Sequence, residues 1–133
     1  MQQFTIDTHQ HNQVVDLTDR LNKLIKNQGL SQGLCYLTVL HTTCCLTTAD
    51  LDPGTDQDLL EAINKIFPEG DYRHPHDPDH VGEHIMSAII GSNIQLPIKN
   101  EKLLLGTWQR VVLVELSGPR QRKLVCQFSH DTT

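Results

Sequence analysis

Residues 34–42 read Leu-Cys-Tyr-Leu-Thr-Val-Leu-His-Thr, and their period is two. On an extended chain Cys35, Leu37, Val39 and His41 share one face, and Leu34, Tyr36, Thr38 and Leu40 the other. Both faces are largely apolar, which predicts an internal strand rather than an edge. Just upstream the period changes. Leu17, Leu21, Leu24 and Ile25 recur at i, i+4, i+7 and i+8, predicting an amphipathic helix with Thr18 as N-cap and Gly29 as stop.

Before that helix, Gln3 to Asp16 is polar with scattered β-formers and predicts one or two edge strands. After the internal strand comes a β-like piece over Leu46 to Thr48, then a turn at Asp52-Pro53-Gly54. Thr55 and Asp58 have capping-box spacing, opening a helix with a core face of Leu59, Ala62, Ile63, Ile66 and Phe67, which Pro68 and Gly70 end. A polar loop, DYRHPHDPDH, leads to a third helix over Val81 to Ile90, with Asp79 as N-cap and Gly91 just past its end. The last third reads as strands at Ile94 to Ile98, Leu103 to Leu105, Thr107 to Leu116 and Leu124 to Phe128, with Ser117-Gly118-Pro119 as a turn. Strands flanking a block of helices, without regular βαβ alternation, predict an α+β fold. The expectation is a single domain over residues 1–133, with a mixed, largely antiparallel sheet and about three helices packed on it.

Composition narrows the function classes. The chain has 133 residues, 38% apolar and 20% charged, which suits one globular domain. Eleven Lys and Arg against sixteen Asp and Glu leave a net charge of −5, a poor basis for nucleic-acid or anionic-membrane binding. No apolar run approaches the roughly 20 residues that span a bilayer. The start, MQQFTIDTHQH, lacks a basic segment and an apolar core, so a cytoplasmic protein is expected. Cys35, Cys44, Cys45 and Cys126 form no C-x-x-C pair and read as small buried apolar residues in a reducing compartment.

Eight histidines are the unusual count, since imidazole is both the commonest metal ligand and the side chain that titrates near neutrality. His9, His11 and His130 lie in polar surroundings near the termini and read as solvated. His41 ends the apolar face of the internal strand, as a ligand at a cleft or as a hydrogen-bonded core residue. His84 lies about 60° from Val81 around its helix and so flanks the buried stripe, while His80 sits nearer the rim. A metal site using two or three of His74, His76, His80 and His84 competes with a solvated acidic loop. Asp50 and Asp52 fit a turn and Asp58 a helix start, and each also suits support of a ligating imidazole. Arg120 and Arg122 flank a turn, and on a shared strand they would lie on one side, as a phosphate clamp or as an edge facing solvent. Trp108 offers a stacking face or a core residue.

The runs VLHTTCCLTTADLDP, YRH, EHIMSAIIGSNIQLPI and LLLGTWQRVVLVELSGPRQRK together resemble the YjbQ-type family, described as secondary thiamine-phosphate synthases. The likeness runs from about Gly33 to Phe128, with LGTWQ and G-P-R-x-R its most specific parts. It implies a homotrimer with sites in clefts near subunit contacts, and a divalent metal, expected to be zinc, held by His41, His74 and His84. It further implies site roles for Asp50, Asp58, Trp108, Gln109, Arg120 and Arg122. Two departures stand out: Ala49-Asp50 replaces the family's Asn-Glu, and the loop from His74 to His84 is one residue short. Three imidazoles would leave an open zinc position, as catalytic sites do.

The expected reaction joins hydroxymethylpyrimidine diphosphate to a thiazole phosphate and releases pyrophosphate. Its charge would fall to the metal, Arg120 and Arg122, while Asp58 or Asp50 orients a ligand or moves a proton. The alternatives are a zinc-dependent hydrolase of a small phosphorylated or amide compound, and a non-catalytic trimer that binds metal or a small ligand.

Overall fold

The structure, a computed structural model, describes residues 1–66, 73 and 81–131. In chain order its elements are β1 (Gln2–Asp7), β2 (Gln13–Asp16), α1 (Thr18–Asn27), β3 (Gln32–Val39), β4 (Cys44–Ala49), α2 (Thr55–Ile66), α3 (Val81–Ile90), β5 (Asn93–Lys99), β6 (Lys102–Leu103), β7 (Arg110–Glu115) and β8 (Gln121–His130). The class is α+β, as the sequence predicts. The strands divide into a five-stranded sheet ordered β1-β8-β3-β5-β6 and a three-stranded sheet ordered β2-β7-β4, and every pairing among the described residues is antiparallel. The polar N-terminal segment supplies one edge strand to each sheet. The period-two run is internal, flanked by β5 and β8.

Alternation then builds two cores. Cys35, Leu37 and Val39 of β3 and Leu124 and Cys126 of β8 meet Cys44 and Leu46 of β4 and Val111 and Leu113 of β7 between the sheets, with Leu17, Leu21 and Ile25 of the α1 segment filling one side. The opposite face of the small sheet, Cys45, Val112 and Val114, is covered by Leu60 and Ile63 of α2 and Met86 of α3. Each fully buried aliphatic side chain is worth about 1.5–3 kcal/mol. The four cysteines are buried thiols, and burial pushes Cys44 and Cys45 up to about 12, so they serve as packing groups.

Several local expectations shift. Leu17, not Thr18, occupies the N-cap of α1. The Thr18 amide donates to Asp16 Oδ1 (2.9 Å), and the Thr18 hydroxyl accepts from the Val111 amide (2.9 Å). Thr55 lies inside α2 and donates its hydroxyl to the Asp52 carbonyl (2.5 Å), so no capping box forms with Asp58. On α2, Leu60 joins Ile63 in the core while Ala62 and Ile66 face out, because the helix turns its narrow stripe toward Val112 and Val114. Phe67 and Asp79 lie outside the described residues. On α3, Met86 and Ser87 are buried while Ala88 and Ile89 are exposed. Residues 107–109 of the LGTWQ run form a turn before β7 rather than the start of a strand.

Three of the connections that cross between the sheets are residues 8–12 (β1 to β2), 40–43 (β3 to β4) and 116–120 (β7 to β8). They are tied together at one end of the sandwich. There the Thr8 amide donates to the Arg120 carbonyl and the Arg120 amide to the Thr8 hydroxyl, Leu116 donates to the Thr43 carbonyl, and Gly118 donates to the His11 carbonyl. Beneath them lie the charged side chains of Glu115 and Arg122, which are 0% and 1% exposed. Glu115 ends β7 on the same face as Val111 and Leu113, and Arg122 enters β8 on the same face as Leu124 and Cys126, so the two charges meet between the sheets. Arg122 Nε donates to Glu115 Oε1 (2.8 Å), and its Nη2 donates to Glu115 Oε2 and to the Thr43 hydroxyl (2.9 Å) and carbonyl (3.1 Å). The Thr8 hydroxyl completes the set at 2.7 Å from Glu115 Oε1.

Burial pushes the Glu115 carboxyl up, but the hydrogen bonds from Arg122 and Thr8 and the Arg122 charge outweigh it and hold the group below its ordinary 4.5. The folded protein thus binds fewer protons there than the unfolded chain. The corresponding stability is full above about pH 4.5 and is lost as pH falls through the lower folded value. Glu115→Gln should cost about 3–5 kcal/mol in urea denaturation at pH 7, because it leaves a buried guanidinium without its counter-charge. Pairing Glu115→Leu with Arg122→Met should restore most of that loss. A double variant as unstable as the single one would contradict the pairing.

Candidate functional site

The crossing connections border a region where His41, His84, Arg120 and Arg122 gather. His41, in the 40–43 connection, accepts a hydrogen bond at Nε2 from the Lys123 amide (2.8 Å). It is partly buried and does not point into the core. Burial is the largest effect holding its pKa below the ordinary 6.5. Arg122 adds to it, Glu115 opposes, and Lys123 and Arg120 contribute further, so the imidazole is neutral at neutral pH. His84, on the first turn and a half of α3, lies across from it. The two side chains line the same pair of adjoining cavities.

The first cavity, about 360 Å³, is bounded by Leu40, His41, Thr42, Thr43, Glu83, His84, Ser117, Arg120 and Arg122. Arg120 is exposed, and its Nε donates to the Ser117 carbonyl (2.7 Å), which aims the guanidinium along the turn. Arg122 does not act beside it as a second exposed clamp. Strand β8 begins at Gln121, so Arg120 escapes the alternation that turns Arg122 into the core, where Glu115 neutralises it. A carboxylate the sequence reading missed, Glu83, lines this cavity and lies 3.2 Å from His11 Nε2. Its one signal in sequence is its position beside His84 at the start of α3. His11 is exposed, as expected, and among the described residues meets the cavity only through Glu83.

The remaining residues sit elsewhere. Asp50 borders a separate cavity of about 240 Å³ with Asp16, Asp52, Thr107, Trp108 and Arg110. Its Oδ1 accepts from the Asp52 amide (2.9 Å) in a tight turn. Trp108 is 67% exposed and so is not a core residue. Gln109 closes its own turn, accepting from the Gly106 amide (3.0 Å) and donating to the Thr48 hydroxyl (3.1 Å). Asp58 is exposed on the first turn of α2, where a carboxylate favours the helix dipole. His74, His76 and His80 lie outside the described residues.

Among the described residues no cluster of three or more metal-binding side chains occurs. The donor chemistry of His41 and His84 nevertheless suits a metal: both are imidazoles on one wall, and His41 is held neutral. A neutral imidazole has one free lone pair, and that of His41 faces the Lys123 amide, so a metal would have to take its place.

Gly118 sets how closely the connections approach. A Cβ there would stand 2.2 Å from the Gln10 carbonyl oxygen, whereas one on Gly82 of α3 meets nothing within 4 Å. Gly118→Ala should therefore cost about 1–3 kcal/mol of stability, while Gly82→Ala should cost nothing in the same thermal melt. Equal effects of the two would show that the junction is loosely packed.

The comparisons agree with this architecture. The family model described as UPF0047 protein YjbQ-like matches residues 2–131. A UPF0047 protein of Archaeoglobus fulgidus is 29% identical over 124 residues, covering 92% of this chain and 96% of the relative. A crystal structure of a YjbQ/UPF0047 family protein from Clostridium acetobutylicum superposes with a TM-score of 0.89 at 33% identity, covering 97% of this chain and all of that one. A YbjQ-like protein of unknown function from Sulfolobus solfataricus gives 0.90 at 26% identity, covering 98% and 96%. With its sandwich, its crossing connections and nearly its whole length matched, the chain belongs to the YjbQ-like UPF0047 family.

Proposed function

We propose that the protein is a metal-dependent transferase of the thiamine-phosphate synthase type. In that reaction the thiazole nitrogen attacks the methylene of hydroxymethylpyrimidine diphosphate. A C–N bond forms, the C–O bond to the diphosphate breaks, and pyrophosphate leaves with the electron pair. The observation that carries the reading is the shared wall: two imidazoles border the cavity that Arg120 overlooks. Glu83 lines that cavity while Asp50 and Asp58 do not, which makes Glu83 a further candidate for the acid–base or orienting role beside them.

The chain's own groups divide the work. Arg120, at the open side, presents charge-assisted donors to phosphate oxygens. Arg122 is neutralised by Glu115 and acts on the cavity through His41, whose protonation it disfavours. Glu83, paired with His11, is placed to fix an imidazole or hold a proton, and it limits how much negative charge the cavity accepts. A divalent metal such as zinc, held by His41, His84 and His74, would supply Lewis-acid stabilisation of the departing phosphate. The homotrimer that the resemblance implies is part of this reading.

The test is metal analysis, light scattering and a synthase assay on the wild type and on His41→Ala, His84→Ala and Arg120→Gln. The wild type should run as a trimer with stoichiometric metal, and both histidine variants should lose metal and activity together. Arg120→Gln should keep metal and lower kcat/KM about ten- to hundredfold, the worth of one charge-assisted hydrogen bond. Histidine variants that retain full metal and turnover would overturn the reading, and turnover without a pyrimidine diphosphate would replace it with the hydrolase.

A further inference from the structure

The rung that closes the ladder between β3 and β8 has a side chain in it. Register pairs Val39 with Leu124, so Leu40 stands opposite Lys123. The Leu40 amide donates to the Lys123 carbonyl (3.0 Å), one of the two bonds that such an antiparallel pair exchanges. The second would run from the Lys123 amide to the Leu40 carbonyl. It runs instead to His41 Nε2, at 2.8 Å. The imidazole takes the place of a backbone carbonyl, and β3 ends at Val39.

That exchange occupies the very group the proposed site needs. A neutral ring that accepts at Nε2 has its lone pair there and its proton on Nδ1. A metal and the Lys123 amide therefore compete for one lone pair. Displacing the amide with no replacement would leave a backbone donor unpaired, which folded proteins avoid. The Leu40 carbonyl is the replacement that the register supplies. The backbone around it has fixed ends and a loose middle. Val39 is 2% exposed and its amide donates to the Ser92 carbonyl (2.8 Å), while Thr43 is held by Arg122. Leu40 and Thr42 between these anchors are exposed, so a turn of the chain there pulls neither side chain out of the core.

We infer that residues 40–42 form a two-position switch on the metal site. In one position His41 completes the sheet, and its lone pair is closed to ligands. In the other the Leu40 carbonyl takes over the Lys123 amide, β3 lengthens by one residue, and the imidazole is free to ligate. Both positions satisfy the same backbone donor, so a ligand that needs the lone pair shifts the population by its preference for the second. The inference rests on the metal binding proposed above and adds its regulation. Leu40 and Thr42 also line the arginine cavity, so the switch resets the wall that a phosphate would meet.

The experiment is NMR spectroscopy of the isotope-labelled full chain, titrated with zinc alone, beside His41→Ala without metal. Before zinc, a scalar coupling should cross the N–H···N bond from Lys123 to His41 Nε2, with the ring proton on Nδ1. Stoichiometric zinc should abolish that coupling while the Lys123 amide keeps its protection from hydrogen exchange. His41→Ala should keep the same protection, because the Leu40 carbonyl takes the rung with no metal present. Exchange at Lys123 faster by about tenfold or more, in the variant or in the zinc-loaded wild type, would show that the carbonyl does not take over. Only the switch would then fall, and the proposed function would stand. Zinc that binds with the coupling intact, or that does not bind at all, would overturn the switch together with the metal-dependent reading.

Discussion

The buried ion pair of Arg122 and Glu115 governs the end of the molecule where the site lies. Each charge comes from a different sheet, and removing each from water costs several kcal/mol. That cost is offset only while the guanidinium keeps Glu115 and Thr43, and the carboxylate keeps Arg122 and Thr8. Thr8 and Thr43 belong to two of the crossing connections, and Glu115 and Arg122 bracket the third. One network therefore fixes where all three connections pass, and His41 rides on the middle one. The same guanidinium adds to the burial that keeps His41 neutral, so the pair sets both the place and the protonation of an imidazole it does not touch.

Much of the fold is legible in the sequence because it rests on periodicity. The period-two run at residues 34–42, the i, i+4, i+8 spacing of Leu17, Leu21 and Ile25, and Gly29 after the first helix each name an element that the structure contains. Gly29 takes a φ of +65°, the conformation that ends a helix at little cost to glycine. What periodicity does not reveal is which layer each strand joins. The division into two sheets follows from pairings such as Gln2 with Cys126 and Leu46 with Leu113, far apart in sequence.

The site divides along the same line. His41 and His84 can be picked out from strand and helix geometry, and they do face one wall. Arg122 cannot, because its burial depends on Glu115 meeting it from the other sheet and on β8 beginning one residue earlier. Asp50 and Trp108 are neighbours of each other rather than of the imidazoles, a fact of tertiary placement that their motifs do not carry. Gln109 shows the converse: a residue in a highly specific motif spends its amide on closing a turn.

The most direct test of the account is an anomalous difference map at the zinc absorption edge, from crystals of the full chain grown with zinc. The account predicts a strong peak on the wall shared by His41 and His84, with the Lys123 amide released from His41 Nε2. Strong peaks confined to His9, His11 or His130, with His41 still bonded to Lys123, would contradict it.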